Sequence, residues 1–154
     1  MAESLFLGEF ECKLDSKGRF ILPTSLRKQV PQEAGDKFVM NRGYEKHLVL
    51  YPINEWRKIN EEMSKLNQGL REVREFIRYF LRGAMEMELD TASRLLVKKS
   101  LLEYSGIHKD IILLAHTNKI EVWDKDLYDN SLSNEPSDFA ALAEKVWGGK
   151  GIGE

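Results

Sequence analysis

The chain of 154 residues carries 23 Lys and Arg against 25 Asp and Glu, a formal charge of −2, with 42% hydrophobic and 31% charged residues. That length allows a real core, the composition is ordinary for a soluble globular protein, and no apolar run approaches the roughly 20 residues that span a bilayer. A net acidic chain is a poor general phosphate binder, so contact with nucleic acid would need basic residues concentrated locally.

From the N-terminus, Met1 to Phe10 lacks the basic region and uninterrupted apolar stretch of a secretory signal, which predicts a cytoplasmic protein. Leu7 to Leu14 predicts a strand. It contains Cys12, the one cysteine of the chain, which lacks a second thiol for an internal disulfide or a structural zinc site and reads as a small apolar strand residue. A polar turn and a second apolar run, Arg19 to Leu22, complete the pattern of a hairpin. Pro23 and Thr24 open a short helix. Two more strands are predicted at Lys37 to Met40 and His47 to Tyr51, with Asn41 and Gly43 as turn residues between them. Lys13, Lys17, Arg19, Arg27 and Lys28 face only Asp15 in the window from 13 to 28, the most basic of the chain.

Ile53, Trp56, Ile59, Met63 and Leu66 recur at spacings of three and four, as do Leu70, Val73, Phe76, Ile77, Phe80 and Leu81. The spacing predicts two amphipathic helices, separated at Gly69. Arg71, Arg74, Glu75, Arg78 and Arg82 fall on the outer face of the second helix. This is either a solvated face with Glu–Arg pairs or a contact surface for another subunit or DNA.

The remainder of the chain repeats its beginning. LDSKGRFILPTSL (Leu14 to Leu26) aligns without a gap on LDTASRLLVKKSL (Leu89 to Leu101), 75 residues later. After a small slip, the segment from Lys37 to Trp56 matches Asp110 to Tyr128, so each copy covers about 45 residues. The second copy therefore predicts strands at Met85 to Leu89, Arg94 to Val97, Asp110 to Ala115 and Ile120 to Trp123, with Thr117 and Asn118 as turn residues. Ser100 and Glu103 have the spacing of a capping box for its short helix, and Gly106 suits the left-handed position that ends it. The predicted division is unit 1 at 7–54, linking helices at 55–82, unit 2 at 83–126, and an acidic, partly flexible tail at 127–154. From Glu121 onward, eight acids face only Lys125, Lys145 and Lys150. Past Asn134 the chain is expected to be loose, with a weak amphipathic helix at Phe139 to Trp147. One unit is too small to bury a core alone, which predicts a single α+β domain of pseudo-twofold symmetry, resembling a homodimer fused into one chain.

The sharpest chemical signal is the pair of turns Asp15-Ser-Lys-Gly-Arg19 and Asp90-Thr-Ala-Ser-Arg94. An Asp that opens a tight turn can accept bonds from backbone N–H groups further on and can also hold the guanidinium of the Arg that closes it. Gly18 supplies a positive φ. Such a turn presents Lys17 and Arg19 at the tip of a two-stranded ribbon, a shape the major groove of DNA admits. On these residues alone, an Asp–Arg pair that merely pins the turn is an equally physical reading.

LDSKGRFILPTSLR followed by LVLYPINEW, and then LDTASRLLV and KIEVWDKDLY, resembles the MraZ family of bacterial transcription regulators, made of two SpoVT-AbrB-type units. The resemblance covers about residues 4 to 130. It implies a swapped-hairpin, β-barrel-like fold, a ring-shaped homo-oligomer, and binding to short repeated boxes of double-stranded DNA upstream of the family's own division and cell-wall operon, with association with the nucleoid. The family's Asp and Arg positions fall on Asp15 and Arg19 and on Asp90 and Arg94. With these, Lys13, Lys17, Gly18 and Lys98 form the candidate DNA-binding set. The second copy departs from the pattern by having Ser93 in place of a Gly and Lys98 where the first has Pro23. It is expected to adopt the turn less readily and to be secondary in DNA contact, with Lys98 and Lys99 partly compensating.

Two other readings rank lower. An enzyme would need parts the sequence lacks: His47, His108 and His116 have no metal-like spacing, and no GxSxG, GxxxxGK[ST] or GxGxxG occurs, so no metal, cofactor or small-molecule substrate is expected. An AbrB-like antitoxin, binding a toxin through its tail, would usually carry one unit, against the duplication seen here.

Overall fold

Alternation of apolar and polar residues makes Phe6–Lys13 a strand (β1) with one face turned to the core, as seen in a computed structural model that describes residues 5–133 and 138–148. The first copy continues with β2 (Arg19–Ile21), α1 (Thr24–Arg27), a single 3-10 turn at Gln32–Ala34, β3 (Lys37–Arg42) and β4 (Leu48–Pro52). Helices α2 (Ile53–Ser64) and α3 (Arg71–Leu81) follow. The second copy repeats the order as β5 (Met85–Glu88), β6 (Arg94–Leu96), α4 (Lys99–Ser105), β7 (Asp110–Thr117) and β8 (Lys119–Asp124), and it too is followed by two helices, α5 (Lys125–Ser133) and α6 (Phe139–Trp147).

The first two strands of each copy do not pair with each other as the hairpin pattern suggested, whereas β3 with β4 and β7 with β8 do pair within their copies. β1 runs antiparallel to β7 along all eight residues, from Phe6 opposite Thr117 to Lys13 opposite Asp110, and β2 pairs with β6. Length explains the exchange: a three-residue β2 cannot satisfy the donors and acceptors of an eight-residue β1, whereas β7 matches it end to end. The second copy does the reciprocal, β5 pairing with β3. The large sheet therefore has the order β1-β7-β8-β4-β3-β5, which reads the same from either end once each strand is exchanged for its counterpart.

A pseudo-twofold axis passes through two places. In the large sheet it crosses the β4–β8 pair, where Val49 faces its counterpart Glu121. In the separate two-stranded ribbon it crosses Phe20 opposite Leu95, residues that align in the repeat. The fold is the expected α+β assembly of two swapped units. The ribbon and the large sheet remain separate, with no ladder among the described residues joining them into a closed barrel. Both copies feed one core: Phe20, Leu22, Phe38, Met40 and Leu50 pack with Leu95, Leu101, Ile111, Leu113 and Ile120, each large side chain worth about 1.5–3 kcal/mol when fully buried.

Several local expectations are corrected. Asn41 is not a turn residue but a fully buried member of β3, and its amide donates to Phe80 O at 2.8 Å, which fastens the end of α3. Gly43 does serve the β3–β4 turn, with its N–H donating to His47 O at 2.8 Å. Ser100 and Glu103 form no capping box. Val97 N–H is already held by Gly18 O, so strand geometry persists to Lys98, which becomes the N-cap and leaves Ser100 inside the first turn. Gly106 ends α4 in the left-handed conformation (φ 67°), as its position predicts. α5 occupies part of the expected tail and lays Tyr128 against Trp123, as Trp56 of α2 lies against Tyr51. The helix expected at Phe139 to Trp147 is present, whereas the loose segments expected around it lie partly at 134–137 and 149–154, outside the described residues.

Candidate nucleic-acid interface

The first turn is built around the Asp15 carboxylate. Oδ1 accepts from the backbone N–H groups of Lys17 and Arg19, both at 2.9 Å, and Oδ2 accepts from Arg19 Nε at 2.7 Å. Two backbone bonds close the loop, Asp15 N–H to Arg19 O at 2.8 Å and Gly18 N–H to Asp15 O at 3.0 Å. Gly18 sits at φ 83°. These bonds favour the ionised acid, so the Asp15 carboxyl lies below the ordinary Asp value, the Arg19 N–H being the largest cause. Only Nε of the Arg19 guanidinium is used. Both Nη atoms lack a partner among the described residues, and they can make the two-pronged contact that Arg offers to a phosphate or a guanine edge.

The second turn has the same bonds. Asp90 Oδ1 accepts from Ala92 and Arg94 N–H at 2.9 Å each, Oδ2 accepts from Arg94 Nε at 2.8 Å, and Ser93 N–H donates to Asp90 O at 2.9 Å. The Asp90 carboxyl is lowered in the same way, first by the Arg94 N–H. The expectation that Ser93 would resist this geometry is overturned, because Ser93 adopts φ 61°. Its hydroxyl accepts from Arg27 Nη1 at 2.6 Å, and Leu22 N–H holds its carbonyl at 2.9 Å, interactions that fix it where glycine would otherwise be favoured.

Strand exchange decides what surrounds each turn. Along the ribbon Arg19 is opposite Leu96 and Arg94 is opposite Ile21, so the turns lie at opposite ends. Phe20 and Leu95 face the core, whereas Ile21 and Leu96 are 60% and 56% exposed on the outer face beside Arg19 and Arg94. Val97 N–H donates to Gly18 O at 2.9 Å, which sets Lys98 next to the first turn. Lys98 therefore stands beside the first turn and not beside the second, the turn of its own copy. Leu14 N–H donates to Lys109 O at 2.8 Å, bringing in another lysine, and the matching bond at the second turn runs from Leu89 N–H to Asp36 O at 2.9 Å.

The outcome is one basic turn and one neutral turn on equal scaffolds. Lys13, Lys17, Arg19, Lys98 and Lys109 gather at the first against Asp15 and Asp110, which sits opposite Lys13. At the second, Arg27, Lys37 and Arg94 are matched by Asp36, Glu88 and Asp90, with Arg27 bonded to Asp36 at 3.0 Å and Lys37 opposite Glu88. Lys17 and Lys98 are exposed and form no ion pair with the described residues. Lys109 and the Arg27–Asp36 pair were missed by the sequence reading; only the repeat alignment combined with the exchanged pairing would have placed them. Two of the three histidines take structural positions: His47 is buried and stacked on Trp123 at 4.4 Å, burial pushing its pKa down, and His116 bonds Glu121 at 2.8 Å.

The chain is a duplicated, strand-exchanged body with an Asp–Arg turn at each end of an outer ribbon. The family model described as "MraZ protein, putative antitoxin-like" matches residues 5–78 and again 80–147. The chain belongs to the MraZ family. It is similar to the "Transcriptional regulator MraZ" of Christiangramia forsetii, 41% identical over 143 residues and 92% of each chain. The proteins of the same name from Flavobacterium psychrophilum and Natranaerobius thermophilus are 41% and 37% identical, covering 92% of this chain and 91% and 96% of their own. The family is thus one of transcriptional regulators, which is not a class of enzyme.

Proposed function

We propose that the chain is a sequence-specific, double-stranded-DNA-binding regulator that reads short repeated boxes upstream of its own division and cell-wall operon. In this reading it acts in the cytoplasm on the nucleoid, as a ring-shaped homo-oligomer. The observation that carries the DNA contact is the preorganised Arg19: Asp15 holds Nε and leaves both Nη donors outward, in the one neighbourhood of the ribbon where cations outnumber carboxylates. A two-stranded ribbon fits the major groove, and Lys13, Lys17 and Lys98 flank the tip to meet phosphates while Arg19 meets a base edge. Gly18 allows the turn, and Asp90 and Arg94 repeat the scaffold in a neutral setting that contributes less.

A subunit with net charge −2 and one basic turn neutralises few phosphates and binds a single box weakly. Copies held together convert the second contact into an intramolecular one, raising avidity by about 10²–10⁴ without new contacts. α3 supports assembly: it buries none of its residues fully, and Phe76 and Tyr79 remain 46% and 68% exposed. Trp56 and Phe80 stack on each other within the subunit at 6.1 Å and are less suited to that role. The test is a titration of DNA carrying one, two or three boxes, in phase with the helical turn of about 10.5 base pairs and half a turn out of phase, beside a measurement of mass in solution. Steep dependence on box number and phase is expected. A monomer that binds one box as tightly as three would contradict the proposal.

A further inference from the structure

Beside the first turn an open groove of about 620 Å³ runs between the end of α3 and the start of α4, lined by Arg42, Arg82, Lys98, Ser100, Glu103 and Tyr104 among others. Lys98 belongs both to this groove and to the surroundings of the turn, so the two surfaces are continuous. Arg42 is fixed, its guanidinium lying 4.5 Å from the Tyr79 ring and 4.8 Å from the Tyr104 ring, with Nη2 donating to Tyr79 O at 2.8 Å. Arg82 and Lys98 are exposed and pair with no carboxylate among the described residues. Glu103 is the one acid in the lining.

The pseudo-twofold axis supplies an internal comparison. The residues that align with Arg82, Lys98 and Arg42 in the other copy are Leu7, Pro23 and Ala115, none of them charged. Backbone and small residues of the groove are kept between the copies, Gly83 matching Gly8, Ser100 matching Ser25 and Leu101 matching Leu26. The Tyr104 counterpart, Gln29, instead closes on the Leu7 backbone through bonds of 2.9 and 3.1 Å. All three cations therefore line one groove only, the one beside the basic turn, while the counterpart groove has Lys28 where this one has Glu103. A solvated surface needs no such coincidence. A polyanion that extends past the turn explains it, because a duplex carries a phosphate every 3.4 Å along each strand.

We infer that this groove binds a backbone phosphate of the DNA engaged by the first turn, with Arg82 and Lys98 as the donors and Arg42 as a fixed positive charge behind them. The inference rests on the DNA reading above and adds a contact that carries no sequence information, since phosphate contacts set register and affinity while base edges set specificity. It predicts that Arg82→Ala and Lys98→Ala weaken binding to the boxes and to unrelated duplex by the same factor. Loss of that one phosphate contact should lower the slope of log K against log salt by about 0.9 for every subunit engaged, in full when both residues are replaced and in part for each single variant. Lys65→Ala, which removes an equal charge from the C-terminal end of α2, should leave the slope unchanged. Thermal melting of each variant confirms that these exposed substitutions leave the fold intact. Binding by the unaltered chain with slopes unchanged in both groove variants would overturn the groove alone, even if inorganic phosphate were found there. A slope that falls as far in Lys65→Ala would also overturn it. Failure of the unaltered chain to bind any duplex would overturn the DNA reading and the groove with it.

Discussion

The two turns share their backbone bonds, their Asp–Arg contacts and nearly all their distances, yet one sits among lysines and the other among balanced ion pairs. The duplication has kept the scaffold and divided the chemistry. A scaffold of this kind tolerates divergence because its geometry depends on an Asp, an Arg and backbone groups, whereas the charge around it comes from neighbouring residues of both copies. Lys13 and Lys17 of the first copy make the first turn basic where Glu88 and Ala92 stand at the second, whereas the residues delivered by the opposite copy, Lys98, Lys109 and Asp110 to the first turn and Arg27, Lys37 and Asp36 to the second, add one net positive charge to each.

Because both turns hang from one ribbon, the largest expected effect is shared between them. Phe20 and Leu95 meet on the axis and are essentially inaccessible to solvent. Phe20→Ala should cost about 3–5 kcal/mol of stability, measurable by denaturant unfolding, and should loosen both turns equally. Exchange protection lost at Arg19 N–H but retained at Arg94 N–H would show that the turns are independent and break the comparison.

A smaller effect concerns the difference at Gly18 and Ser93. A Cβ added to Gly18 would meet only ordinary contacts, the nearest being Val97 O at 3.5 Å, so strain at φ 83° is the main cost. Gly18→Ser should destabilise by about 1–2 kcal/mol and still form the turn, as Ser93 does. Loss of the fold in that variant would mean that the Arg27–Ser93 bond, absent at the first turn, is what permits Ser93.

The smallest effect is the response to acid, and it should be equal at the two turns. Asp15 and Asp90 both have folded pKa values below the ordinary Asp range, the bond from the closing Arg N–H being the first cause. Their contribution is therefore complete above the unfolded pKa of about 3.9 and is lost as pH falls through the lowered folded value. Carboxyl shifts followed by NMR should show both titrating below a peptide Asp. An ordinary value at either would contradict the bonding described for that turn.

Much of this arrangement is legible in the chain. The duplication, the turns, and the left-handed Gly106 follow from local signals, because turn chemistry and hydrophobic period act over a few residues. The partners of the first two strands of each copy are not legible, whereas the β3–β4 and β7–β8 pairs follow from their turns. Arg19–Ile21 and Arg94–Leu96 are too short to carry a register of their own, and their pairing is fixed by nonlocal packing around Phe20 and Leu95. From that one gap came the misplacement of Lys98, the capping box assigned to Ser100, and the absence of Lys109 from the candidate set. Asn41 was misread for a different reason: as a turn former it gave no sign that a helix terminus 39 residues away would need its amide.

The central claim is that local charge, and not turn geometry, makes the first turn the one that reads DNA. The most direct measurement compares Arg19→Ala with Arg94→Ala in parallel mobility-shift titrations on the same boxes at fixed salt, with thermal stability recorded for both. The two Arg side chains make the same contact with their Asp, so the variants should lose equal stability, each under about 1 kcal/mol for an exposed pair. Arg19→Ala should lose most specific binding, about 1–3 kcal/mol for each engaged subunit, while Arg94→Ala stays within a few fold of the unaltered chain. Equal losses of DNA affinity, or a greater loss at Arg94, would contradict the account.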